Sequence, residues 1–150
     1  MNKRKLFTIA AIVAALAVLG GLFGYRYYLQ HQAAATAGQV IEVNEQNFDK
    51  EVMHSKLPVF IEFYLPTCGP CQKQAPLVEQ AAKDYAGKVK FVKIDAGANP
   101  KLAASVGISV VPTMMVIKLD EQTVLIAEGY LDAARLKKFI EDGLAAKKTP

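Results

Sequence analysis

The chain has two cysteines, Cys68 and Cys71, and they enclose Gly69 and Pro70. A thiolate attacks disulfides and ligates soft metals, whereas a neutral thiol is a poor nucleophile. Thiol–disulfide exchange is therefore the first chemistry to weigh. The pair directly follows an apolar run and opens a stretch with helical spacing. At such a step the free N–H groups and the helix dipole favour a thiolate on Cys68. Pro70 suits a first helical turn, where its missing N–H costs nothing. Gly69 permits the tight turn into the helix. Cys71 then lies one turn on, close enough to close a disulfide back to Cys68.

Other roles for the pair are weaker. A structural bridge over so short a loop would remove little chain entropy. Two cysteines cannot form a disulfide framework. A zinc site lacks two ligands, because the histidines are only His31 and His54, both away from the pair. Copper carriage needs only two thiolates and stays open.

Two further signals accompany the cysteines. Glu62 lies inside the apolar run Val59-Phe60-Ile61-Glu62-Phe63-Tyr64. A carboxyl buried there has its pKa raised by desolvation. Six residues before Cys68, it could accept the proton of Cys71 during exchange. An outward-facing glutamate is the alternative. Val111-Pro112-Thr113 places a proline just before a strand-like run, which suggests a cis bond in a tight turn.

The elements that must position these residues follow from periodicity. Val40–Val43 reads as a short strand, and Asn44 or Asn47 could cap a helix running to about His54. Leu57–Leu65 reads as a central strand buried on both faces. Gly69–Ala86 has helical spacing, with a kink expected at Pro76. Val89–Ile94 is a strand, and Pro100–Val106 a short helix ending at Gly107. Thr113–Leu119 and Thr123–Glu128 flank a short turn and read as an antiparallel pair. Asp132–Leu144 is an amphipathic helix with Leu136, Phe139, Ile140 and Leu144 facing in. The order βαβαβαββα implies an α/β domain with a parallel core and an antiparallel edge.

Charge and hydropathy set residues 1–38 apart. They carry Lys3, Arg4, Lys5 and Arg26 and no acid, so the formal +4 of the chain resides there. Residues 39–150 balance to zero, which argues against a nucleic-acid partner. Residues 6–25 contain no charged side chain, enough helix to cross a bilayer core at about 1.5 Å per residue. Tyr25, Tyr27 and Tyr28 follow where interfacial aromatics belong, and the basic cluster favours a cytoplasmic N-terminus. The expectation is a signal-anchor over residues 1–28, a linker over 29–38 and a globular domain over 39–150. A cleaved signal peptide is the alternative, since Ala35-Thr36-Ala37 has cleavage-site spacing. The apolar run is long for that, and more than ten residues separate it from the site. Cleavage would make the domain a secreted one.

The globular part resembles a thioredoxin over about residues 40–146. Cys68-Gly69-Pro70-Cys71 is similar to the family's active site, and Val111-Pro112-Thr113 to its cis-proline turn. Gly129 matches the glycine lining the substrate groove, and Pro76 the helix kink. The resemblance implies a thioredoxin fold, a central mixed sheet flanked by helices, here preceded by one transmembrane helix. It implies that Cys68 attacks and Cys71 resolves. Glu62 falls where the family usually has a buried aspartate, and Lys93 aligns with a lysine that pairs with that acid. Val111 and Gly129 would hold an extended substrate, with Gly69 and Pro70 beside them. Departures are Thr67 and Tyr64 where the family usually has tryptophan, and the extra methylene of Glu62.

The expected function is a protein-disulfide reductase using no cofactor beyond its own Cys68–Cys71 disulfide, and no metal. With its anchor, the chain looks like the tethered thioredoxin-like proteins of the bacterial envelope. The implied location is the cytoplasmic (inner) membrane, single-pass, with the domain on the periplasmic side. Implied partners are disulfide-containing envelope proteins, a membrane electron donor and the membrane itself. A thiol oxidase in the same compartment is the alternative within the class. A non-catalytic tethered peptide binder or chaperone is the alternative outside it.

Overall fold

The structure, a computed structural model, describes residues 18–25, 37–120 and 122–147. The chain divides into two units, Met1–Ala35 and Thr36–Pro150. In the first, residues 18–25 are helical. The rest of the expected anchor, and the linker apart from residues 37 and 38, lie outside the described residues. Among the described residues no helix is long and apolar enough to cross a membrane.

The second unit is built, among the described residues, on five strands and four helices. They run β1 (Val40–Glu42), α1 (Asp49–Met53), β2 (Val59–Tyr64), α2 (Gly69–Asp84), β3 (Lys90–Asp95), α3 (Pro100–Ser105), β4 (Thr113–Lys118), β5 (Thr123–Glu128) and α4 (Ala133–Ala145). The sheet order is β1-β3-β2-β4-β5. Strand β2 is central because both its faces are apolar: Val59, Phe60, Ile61 and Phe63 are all buried. Alternate residues serve opposite cores. Phe60 packs with Phe91, Met114 and Val116 against Val78 of α2 and Phe139 and Ile140 of α4. Val59, Ile61 and Phe63 pack with Val92, Ile94 and Met115 against Val52 of α1 and Ala103 of α3. Each large side chain buried in this way contributes about 1.5–3 kcal/mol.

The strand directions are those of a parallel core with the last hairpin as an antiparallel edge. Strands β1, β3 and β2 are parallel, β4 runs antiparallel to its neighbour β2, and β5 antiparallel to β4. The chain re-enters the sheet at the end where β3 left it, with Thr113 beside Phe63.

Local chemistry fixes the helix ends. Asn44 and Asn47 cap one another before α1, Asn44 Oδ1 accepting from Asn47 N at 3.1 Å and Asn47 Oδ1 from Asn44 N at 2.8 Å. The helix that follows is one π-type turn, shorter than the periodicity implies. Asp132 caps α4, its carboxylate accepting from Arg135 N at 2.9 Å. Lys118 Nζ donates to the Leu144 and Ala146 carbonyls at 3.0 and 2.8 Å, closing the other end of α4. Pro76 lies inside α2.

Helix α4 approaches β4 closely at Gly143, where a Cβ would sit 2.6 Å from Val116 Cβ and Cγ1. In an open helix, alanine for glycine stabilises by about 1 kcal/mol. Here overpacking reverses the sign, and Gly143→Ala is expected to destabilise by about 1–3 kcal/mol. A lowered urea midpoint at unchanged slope checks this; a raised midpoint would contradict the close approach.

Candidate active site

Strand β2 ends at Tyr64, and the chain turns through Leu65–Thr67 to Cys68, whose N–H donates to the Leu65 carbonyl at 3.1 Å. Gln72 Nε2 donates to the Pro66 carbonyl at 2.9 Å, tying the turn to the helix it starts. Cys68 is the N-cap of α2, with extended backbone angles, φ −79° and ψ 113°. Its Sγ accepts from Cys71 N at 3.3 Å. A sulfur thus occupies the place a capping oxygen would take, where orphan N–H groups and the dipole stabilise negative charge.

Cys68 and Cys71 are joined in a disulfide, their Cα atoms 5.2 Å apart. The two sulfurs are not equivalent. Cys71 is 3% exposed and belongs to the core face of α2. Cys68 is half-buried, and Thr67, Gly69 and Pro70 around it are exposed. An incoming partner can reach only Cys68.

The antiparallel entry of β4 sets the facing wall. The Val111–Pro112 bond is cis, as the resemblance implies. Val111 O lies 3.8 Å from Cys68 Sγ. Thr113 Oγ1 donates to Val110 O at 2.7 Å and pins the turn. Gly129, at φ +81°, a conformation that favours glycine, donates its N–H to Pro112 O at 2.7 Å. Gly129 therefore supports the proline turn and has no N–H left to offer a substrate. Val111 N–H makes no hydrogen bond among the described residues.

Glu62 lies on the α2 side of β2, between Lys93 of β3 and Met114 of β4. It is 3% exposed, and among the described residues its Oε1 has no hydrogen-bond partner. It borders a cavity of about 360 Å³ beneath α2, with Ala75, Val78, Glu79, Lys83 and Lys93 among the lining. Burial pushes the Glu62 pKa up to about 7, with the Lys93 charge acting in the opposite direction. Lys93 stands beside Glu62 in register, but among the described residues its ion pair is with Glu42, Nζ to Oε2 3.8 Å. It also lies 5.5 Å from the centre of the Tyr64 ring. The expected Lys93–Glu62 pairing is thus through space only. The Lys93 side chain is 39% exposed, so its ammonium stays with water and a half-solvated partner, where desolvation costs least.

Two residues escaped sequence reasoning. Gln74 is fully buried one turn beyond Cys71, and its Oε1 accepts from Leu131 N at 2.8 Å. A polar residue on the inward stripe with Val78 and Ala82 was the available signal. Glu42 ends β1 and accepts from Tyr64 OH at 3.2 Å; nothing local in the sequence marks it. Among the described residues no cluster could hold a metal ion.

The raised pKa of Glu62 has a consequence for stability. Folding raises its proton affinity, so the folded chain binds more protons than the unfolded one between pH 4.5 and about 7. Stability must fall as pH rises through that window. Glu62→Gln is expected to raise stability at pH 8 by on the order of 3 kcal/mol and to change it little at pH 4. Urea midpoints at the two pH values check this; equal effects would place Glu62 in a solvated site.

The geometry agrees with what the chain is similar to. The family model described as thioredoxin matches residues 39–142. A thioredoxin of Haemophilus influenzae is 35% identical over 102 residues, which are 68% of this chain and 94% of that protein. Thioredoxin 1 of a Nostoc species is 42% identical over 77 residues, 51% of this chain and 72% of its own. The crystal structure of chloroplastic thioredoxin z superposes with a TM-score of 0.65 at 30% identity, covering 71% of this chain and 96% of that one. The mixed sheet, the cysteine pair capping α2 and these matches have one reading: the chain belongs to the thioredoxin family, as a thiol–disulfide oxidoreductase of protein disulfides whose redox group is its own Cys68–Cys71 pair.

Proposed function

We propose that this protein reduces disulfides of bacterial envelope proteins while tethered to the cytoplasmic membrane by its N-terminal segment. The observation that carries the chemistry is the inequality of the sulfurs: Cys68 reachable at a helix N-terminus, Cys71 buried behind it on the Glu62 side of α2. In the dithiol form the Cys68 thiolate attacks a substrate sulfur. A mixed disulfide forms, and one substrate thiolate leaves. The Glu62 carboxylate, on the sheet face that α2 covers, takes the Cys71 proton. Cys71 then attacks Cys68 Sγ, the second substrate thiolate leaves, and the Cys68–Cys71 disulfide remains. Two electrons have passed to the substrate, and a thiol donor must return them. A membrane protein that carries electrons outward is the partner of that kind.

Substrate binding follows from the wall opposite Cys68. The Val111 N–H, without a hydrogen bond among the described residues, fits backbone pairing with an extended segment of the substrate. Exposed Val110 and Tyr130 border the same wall and supply apolar contact.

The tether rests on the uncharged run behind Lys3-Arg4-Lys5. Its described portion leaves Val18, Leu19, Leu22 and Phe23 more than half exposed, a surface suited to lipid. The family match begins only at residue 39, so the run lies ahead of it.

The full-length Cys71→Ala chain in membranes is expected to accumulate mixed disulfides on Cys68, visible as adducts released by reductant. Absence of adducts, with function retained, would favour a peptide binder. The full-length chain should also stay with the membrane through alkaline carbonate washing. Release of the intact chain would sink the tether.

A further inference from the structure

We infer that Gln74 is a positioning residue for the substrate groove, its buried amide fixing the Gly129–Leu131 segment to the active-site helix. The inference rests on the proposal that substrate lies along the Val111 wall. Gln74 occupies a core position of α2 at 0% exposure, on the face that also buries Cys71, Val78, Ala81 and Ala82. An apolar side chain would fill that position without desolvating a polar group. The amide is also only half used. Oε1 accepts from Leu131 N at 2.8 Å, while Nε2 is buried with no partner among the described residues. A half-satisfied buried amide is a local cost, and rule-breaking of this kind concentrates at functional sites.

What the oxygen holds explains why it is there. Leu131 lies two residues beyond Gly129, whose N–H holds Pro112 O at 2.7 Å. Val111, joined to Pro112, faces Cys68 Sγ at 3.8 Å. The links close a ring: Cys71 to Gln74 along α2, Gln74 to Leu131, Gly129 to Pro112, Val111 to Cys68, and Cys68 to Cys71. The reactive sulfur, the carbonyl facing it and the exposed Tyr130 are thereby held at fixed separations. Releasing Leu131 frees the Tyr130 side of the groove and leaves the disulfide, its helix cap and Glu62 in place. A protein substrate must touch that side, whereas a small disulfide reaches Cys68 without it.

The test compares full-length wild type, Gln74→Leu and Gln74→Asn on insulin and on the small disulfide dithionitrobenzoate. Leucine removes the acceptor. Asparagine withdraws it by one methylene while keeping an amide, and carries the test alone if the leucine variant does not fold. Both are expected to raise KM for insulin roughly tenfold with kcat unchanged, and to alter the dithionitrobenzoate rate by less than about twofold. Equal changes on both substrates, or none on either, would overturn the inference and leave the groove reading standing. A wild-type chain with no lower KM for insulin than for the small disulfide would overturn the groove reading, and this inference with it.

Discussion

A thiolate is costly in an apolar interior, yet one left fully in water gains nothing from the protein. The N-terminus of α2 resolves that conflict, and the rest of the domain is arranged to hold it in position. Unpaired N–H groups at the helix start give Cys68 Sγ a partner that can carry charge, and the Cys71 N–H already points at it from 3.3 Å. The helix can present that end only if it is docked on a rigid sheet. Docking comes from Val78, Ala81 and Ala82 against Phe60 and Phe91. The same docking buries Cys71 and Glu62, whereas Cys68 stays half-buried at the helix start.

The second constraint is topological. The chain re-enters the sheet beside the end of β2, antiparallel to it. That entry sets Val111 against Cys68 and lets the end of β5 deliver Gly129 to Pro112. The groove is thus a product of strand direction, stiffened by side-chain bonds at Thr113 and Gln74.

What could be read from the sequence was whatever the chain carries contiguously. Cys68-Gly69-Pro70-Cys71 holds its nucleophile, turn and helix start within four residues, so its chemistry needed no tertiary information. Glu62 was visible as one charge inside an apolar strand, and its burial and raised pKa follow from that setting. Element ends were less exact, as with Leu57–Leu65 against Val59–Tyr64, because apolar patterning continues beyond the last ladder bond. Hidden features depend on distant pairs. Lys93 meets Glu42 across β1 and β3, and Gln74 reaches 57 positions along the chain to Leu131.

A helix N-terminus that stabilises the Cys68 thiolate stabilises the dithiol and raises the potential of the couple, so the reducing direction proposed for this protein requires that stabilisation to be modest. The reduction potential of the Cys68–Cys71 couple in the full-length protein, measured by equilibration with dithiothreitol and glutathione buffers, tests that most directly. A value near about −270 mV, that of thioredoxin, is the result this account predicts. A value near about −120 mV, that of the strong oxidants, would contradict it and make the protein a donor of disulfides.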